Sequence, residues 1–212
     1  MNRRLQAPEK VTDFRILRPQ GAHTLACGLN APLTVRIAGH VGYYCAGMNK
    51  QATVIIEGNA GAGVAENMMS GTVRVTGDAS QSAGATAHGG LLVVEGNAAA
   101  RCGISLKGAD IVVFGDVGHM SMFMAQRGRL VVFGDAGEAL GDSIYEARIY
   151  VRGKADKLGA DCVQKDMRDE HRDELRELLA AAGAPEVNLD DFKRYGSVRQ
   201  LYHFNIDNAG AY

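Results

Sequence analysis

Aliphatic residues in this chain fall in short runs that all close on glycine: VRIAG, VIIEG, VRVTG, LVVEG, IVVFG, LVVFG and IYVRG. The closing glycines are Gly39, Gly58, Gly77, Gly96, Gly115, Gly134 and Gly153, which follow one another in equal steps of nineteen. Two residues earlier stand Ile37, Ile56, Val75, Val94, Val113, Val132 and Val151. Four earlier stand Val35, Val54, Val73, Leu92, Ile111, Leu130 and Ile149. Spacing of i and i+2 turns both side chains to one face of a strand. The residue after each glycine is His40, Asn59, Asp78, Asn97, Asp116, Asp135 or Lys154, mostly types that tolerate turns. Seven after it come Ala46, Ala65, Gly84, Gly103, Met122, Gly141 and Ala160, small with one exception.

So short a repeat leaves no room for a helical crossover between parallel strands, and no segment inside it has helical periodicity. The pattern therefore predicts an all-β fold, a right-handed single-stranded parallel β-helix of about seven coils over residues 33–162. Phased residues then become vertical columns with ~4.8 Å between coils. The aliphatic columns fill the interior, and glycine supplies backbone angles at the corners. The stretch VIIEGNAGAG from Val54 imitates a strand entering a phosphate loop, but Gly58 belongs to the structural column and no helix follows, so a dinucleotide site is not expected.

The ends break the period. Residues 1–32 are expected to form an N-terminal cap, and 163–212 a C-terminal helix and docking tail. Between Lys165 and Gly183, the residues Met167, His171, Leu175, Leu178, Leu179 and Ala182 make one stripe at helical spacing, with Gly183 and Pro185 as stop signals. The tail FKRYGSVRQLYHFNIDNAGAY reads as irregular but holds five aromatic residues. Outward positions of the strands carry Ile55, Val93, Val112, Val131, Phe114 and Phe133 beside Arg36 and Arg74. Such a patch needs a cover, either the chain's own C-terminal segment or a partner.

Composition narrows the class without naming a chemistry. The 212 residues include 27 glycines and no tryptophan, and the net charge is −1, so neither nucleic acid nor an anionic membrane is an expected partner. Arg3 and Arg4 are not followed by an apolar run, and a cytoplasmic protein is expected. Cys27, Cys45, Cys102 and Cys162 form no C-x-x-C pair. Cys45 and Cys102 lie three coils apart, ~14 Å, too far for a disulfide. Free thiols are expected.

Asp116 and Asp135 are consecutive in one column, roughly 5 Å apart, which is near the carboxylate spacing of a retaining glycosidase. A carbohydrate-active β-helix enzyme is thus one reading, and a ladder of turn residues is the other. The histidines His23, His40, His88, His119, His171 and His203 share no column, so no metal row forms. Met120, Met122 and Met124 suggest filler or an adaptable surface, and Ser121 has no base beside it. The expected site assignment is catalytic none, cofactor-binding none, metal none.

Several motifs carry a family resemblance: GHVGYYCAGMNK, GVAENMMSG, GDASQSAGATAHGG, GDAGEALGDSIYEARIYVRG, LGADC and RYGSVRQLYHFNIDNAGAY. From about Arg18 onward the chain resembles the GXGXG β-helix domain of the glutamate synthase family, closest in form to the small β-helix subunit of N-methylglutamate synthase. Formylmethanofuran dehydrogenase has a similar subunit. The resemblance implies a scaffold with no active site of its own. It would join an amidotransferase-like subunit to an FMN-binding, glutamate-synthase-like subunit, and FMN and an iron–sulfur cluster would sit on that partner. The implied reaction, a transferase and oxidoreductase chemistry of methylamine metabolism, transfers a methylamino or amino group to make N-methylglutamate or glutamate.

Overall fold

A computed structural model describes residues 11–198. Its strands are β1 (Asp13–Leu17), β2 (Thr34–Ala38), β3 (Thr53–Ile56), β4 (Thr72–Val75), β5 (Leu91–Val94), β6 (Lys107–Val113), β7 (Arg127–Val132), β8 (Arg148–Val151), β9 (Cys162–Lys165) and β10 (Lys193–Ser197). An α-helix, α1 (Asp169–Ala182), and a short 3-10 turn (Leu189–Asp191) lie between β9 and β10. Strands β1 to β8 pair in parallel with the next in sequence, and from β2 onward Val35, Val54, Val73, Leu92, Ile111, Leu130 and Ile149 are direct partners. The chain is a parallel β-helix, and the two aliphatic columns are buried within it.

Each coil has three segments. The strand is the first. The second is a ladder of single bridges, Val41↔Ala60↔Ala79↔Ala98↔Val117↔Ala136. The third is a turn in which alternate residues take left-handed φ, as at Ser82, Gly84 and Thr86 (φ 60, 66 and 54°) and at Met120, Met122 and Met124 (55, 61 and 52°). Hydrogen bonds between coils hold this path. The middle N–H donates backwards (Gly84 to Val64 O, 2.8 Å), and the flanking two donate forwards (Ser82 to Ala100 O, 3.0 Å; Thr86 to Ile104 O, 2.9 Å). A left-handed non-glycine residue costs about 1–2 kcal/mol, so these bonds offset a real strain. The middle residue points inward, which explains the small column. Met122 fits there because the position beneath it is Gly103, where a Cβ would lie 2.6 Å from the Met122 sulfur.

The strand-closing glycines have a different cause from the one expected. Of the seven, only Gly39 has φ in the left-handed region (135°). At the others the constraint is space. A Cβ on Gly77, Gly96, Gly115 or Gly134 would lie 2.0 to 2.3 Å from the side-chain oxygen of the Asn or Asp one coil below.

The ends also differ from a simple continuation. Residues 13–32 form a further coil that covers β2, with Asp13 opposite Thr34, a longer step than any between the later strands. At the other end β10 runs antiparallel between β8 and β9. Part of the segment read as an irregular tail is thus a strand, which occupies the edge of β8. Residues 199–212 of that tail, His203 among them, and residues 1–10 of the cap lie outside the described residues.

Helix α1 ends where the sequence indicates, with Gly183 left-handed (φ 90°) and the Ala184 N–H donating to Leu179 O at 2.8 Å. Its buried face, His171, Leu175, Leu178, Leu179 and Ala182, is the expected stripe less Met167, which lies before the first turn and packs half-buried against the same cluster. It packs with Phe192 on Val93, Val112, Val131 and Tyr150, with Phe114 and Phe133 at the margin. The outward apolar patch is therefore covered by the chain itself at these positions. Arg74 closes the far end by donating to Ala182 O at 2.5 Å. Among the described residues no helix is long and apolar enough to cross a membrane.

His171 gives this contact a pH dependence. The residue is 1% exposed, and its Nδ1 accepts the Arg168 N–H at 3.2 Å. Burial, followed by nearby Arg194, Arg148 and Arg168 and opposed by Glu170, lowers its pKa below the usual 6.5. The unfolded chain then binds a proton more readily than the native one. The stabilisation is complete above pH 6.5 and is lost as pH falls through that value toward the lower native pKa. Urea midpoints measured from pH 7.5 to 5 should fall more for the native sequence than for His171→Gln; equal slopes would contradict this.

Candidate functional site

The outward column after the glycines is the strongest candidate for chemistry in the sequence, and its geometry is fully described. The Asn59 N–H donates to His40 Nδ1 at 2.9 Å, and the Asp78 N–H to Asn59 Oδ1 at 3.0 Å. The series continues from Asn97 N–H to Asp78 Oδ1 (2.8 Å), from Asp116 to Asn97 (2.8 Å), from Asp135 to Asp116 (2.7 Å) and from Lys154 to Asp135 (2.7 Å). Each side chain thus supports the backbone of the next coil. Asp116 and Asp135 are members of this ladder, and one oxygen of each is committed to an amide. The glycine and the Asx residue form one device, since the missing Cβ is what admits the oxygen.

The other candidates resolve in similar ways. His23 accepts the Tyr43 N–H at its Nδ1 (2.8 Å) and stacks on the Tyr43 ring. His88 and His119 are exposed. No group of three potential metal ligands occurs among the described residues. Ser121 is buried and donates to Gly118 O at 2.8 Å, a local turn contact. Met122 is in the core, and Met124 is 42% exposed. None of the four cysteines is in a disulfide. Burial pushes Cys45 and Cys102 up to about 12 and Cys162 up to about 11, so none of these three is a thiolate at neutral pH.

Motif reading missed a charged cleft of about 570 Å³ beside α1, lined by Gly108, Asp110, Arg127, Arg129, Arg148 and Glu174, with Glu146 and Gly128 completing it. The register partners Asp110, Arg129 and Arg148 form one outward column of it, and Arg127 and Glu146 stand beside them, where an irregular step pairs Arg127 with Lys107 and leaves Gly108 next to the pair. Arg129 binds Asp110 through two bonds of 2.7 Å. Arg148 pairs with Glu174, which also accepts from the Tyr150 hydroxyl at 3.2 Å. Burial, with the Glu174 carboxylate, raises the Tyr150 pKa. The available signal was a change of character in one column, from Thr34, Thr53 and Thr72 to Asp110, Arg129 and Arg148.

This solenoid, with its helix, can be compared with known proteins. No family model matches it. Over 199 residues it is 61% identical to Protein GlxC of Rhizobium meliloti (strain 1021), a match that covers 94% of this chain and 87% of that protein. The chain belongs to the GlxC family. Because the match spans nearly the whole chain, membership takes in most of both the β-helix and the C-terminal segment. This member of the GlxC family is a stack of coils locked by an external ladder, with its last strands and helix folded back over one face.

Proposed function

We propose that this chain is a non-catalytic scaffold subunit of a cytoplasmic glutamate-synthase-like assembly, of the N-methylglutamate-synthase type. It joins an amidotransferase-like subunit to an FMN-binding subunit that also carries the iron–sulfur cluster. The observation that carries this reading is the use to which the polar columns are put. The residues best placed for acid–base chemistry, Asp116 and Asp135 among them, hold one coil to the next. A body whose coils are locked to one another and whose surface is organised in columns suits the task of fixing two enzymes in register. GlxC family membership and the motifs shared with glutamate-synthase-like proteins support the same reading.

The test is purification of the chain from its own cells under native conditions. Flavin absorbance, iron and an amidotransferase-like chain should co-elute with it in constant ratio. The chain eluting alone, or the isolated chain hydrolysing a polysaccharide, would overturn the proposal.

A further inference from the structure

We propose that the charged cleft beside α1 is a docking site for a partner subunit, whose segment places a carboxylate in the cleft and an apolar side chain on its rim. This rests on the scaffold reading above.

Unpaired cations select the carboxylate. Within the cleft, Asp110 is taken by Arg129 and Glu174 by Arg148. Lys107 and Arg127 are register partners on adjacent strands, so two cations stand side by side. Both are exposed, and among the described residues neither side chain has a hydrogen-bond or ion-pair partner. Like charges directly opposite each other on a sheet are destabilising. Glu146, one coil further, offers one carboxylate and also has no partner among the described residues, so the unpaired charges still favour an anion. Gly108 lines the cleft beside Arg127. A guanidinium with a free fork binds a carboxylate in bidentate fashion.

The rim selects the apolar side chain. Tyr145 and Met124 are 44% and 42% exposed. The Tyr145 N–H donates to Ala125 O and the Glu146 N–H to Gln126 O, both at 2.9 Å, which sets Tyr145 over the coil that carries Met124 and Arg127. Adaptable methionine and aromatic surface next to an arginine is the composition of interface anchors. The polar lining argues against a small apolar ligand.

The experiment purifies the native assembly from cells expressing Lys107→Glu/Arg127→Glu, Met124→Ser/Tyr145→Ser, Arg127→Lys or, away from the cleft, Lys50→Glu. Flavin and partner chain are measured per solenoid chain at two salt concentrations. Charge reversal should reduce a retained partner by about tenfold or more, and the rim variant should also lose it. Lys50→Glu should behave as the native sequence does, with retention falling as salt rises, and Arg127→Lys, which keeps the charge but loses the fork, should retain less partner than the native chain and more than the charge-reversed one. A charge-reversed chain that unfolds at the native temperature and still retains every partner would overturn the docking site and leave the scaffold reading intact. A native chain that brings down no partner would overturn both.

Discussion

Gly134→Ala should destabilise the solenoid by about 3–5 kcal/mol, read as a lower urea midpoint with an unchanged slope. The added methyl carbon would lie 2.0 Å from Asp116 Oδ1 and 2.8 Å from the Gly115 carbonyl. No rotamer escape exists for a Cβ. Either the coil shifts or Asp116 leaves, and departure of Asp116 strands the Asp135 N–H, which it accepts at 2.7 Å. The effect therefore combines overpacking with a lost hydrogen bond. A loss below about 1 kcal/mol would mean that the coils are not held this closely.

Leu175→Asp should be at least as severe and different in kind. Leu175 is fully buried against the outward apolar face of the sheet. Truncation of a buried leucine alone costs about 2–5 kcal/mol, and a carboxylate in its place also loses its hydration. The helix should release, and β10 follows it in sequence. Val93, Val112, Val131, Phe114 and Phe133 would then face water beside an unpaired β8 edge, a combination that favours association. Light scattering and binding of a hydrophobic dye should both rise at temperatures where the native chain remains monodisperse. A monomeric variant with native dye binding would show that the helix is not the cover this packing implies.

The parts of the fold behind these two effects were unequally visible in the sequence. The coils were legible because β-branched residues and glycine repeat without a slip, and every phased residue has a single environment. The first coil was hidden because its step to the next is longer than the repeat and no glycine closes its strand. Helix α1 was legible from its stripe and its stop signals. Strand β10 was not: KRYGS has neither alternation nor β-branched residues, and its partners are antiparallel. The Asn and Asp column could be recognised as a set of turn residues. The bond each makes to the next coil needed coordinates, as did the true reason for the glycines. The charged cleft has no motif at all, since it arises where an outward column changes character and a helix residue, Glu174, arrives from elsewhere in the chain.

The exposed carboxylates of the solenoid serve its architecture, and on this the scaffold reading turns. Asp116→Asn, introduced into the native assembly, tests it most directly, because the amide oxygen can accept the same N–H while the carboxylate chemistry is removed. Stability of the chain and turnover of the assembly should both match the native values, whereas Asp116→Ala should lower stability by about 0.5–1.5 kcal/mol. Loss of turnover in Asp116→Asn, with stability unchanged, would contradict the claim and return Asp116 to the active site of an enzyme.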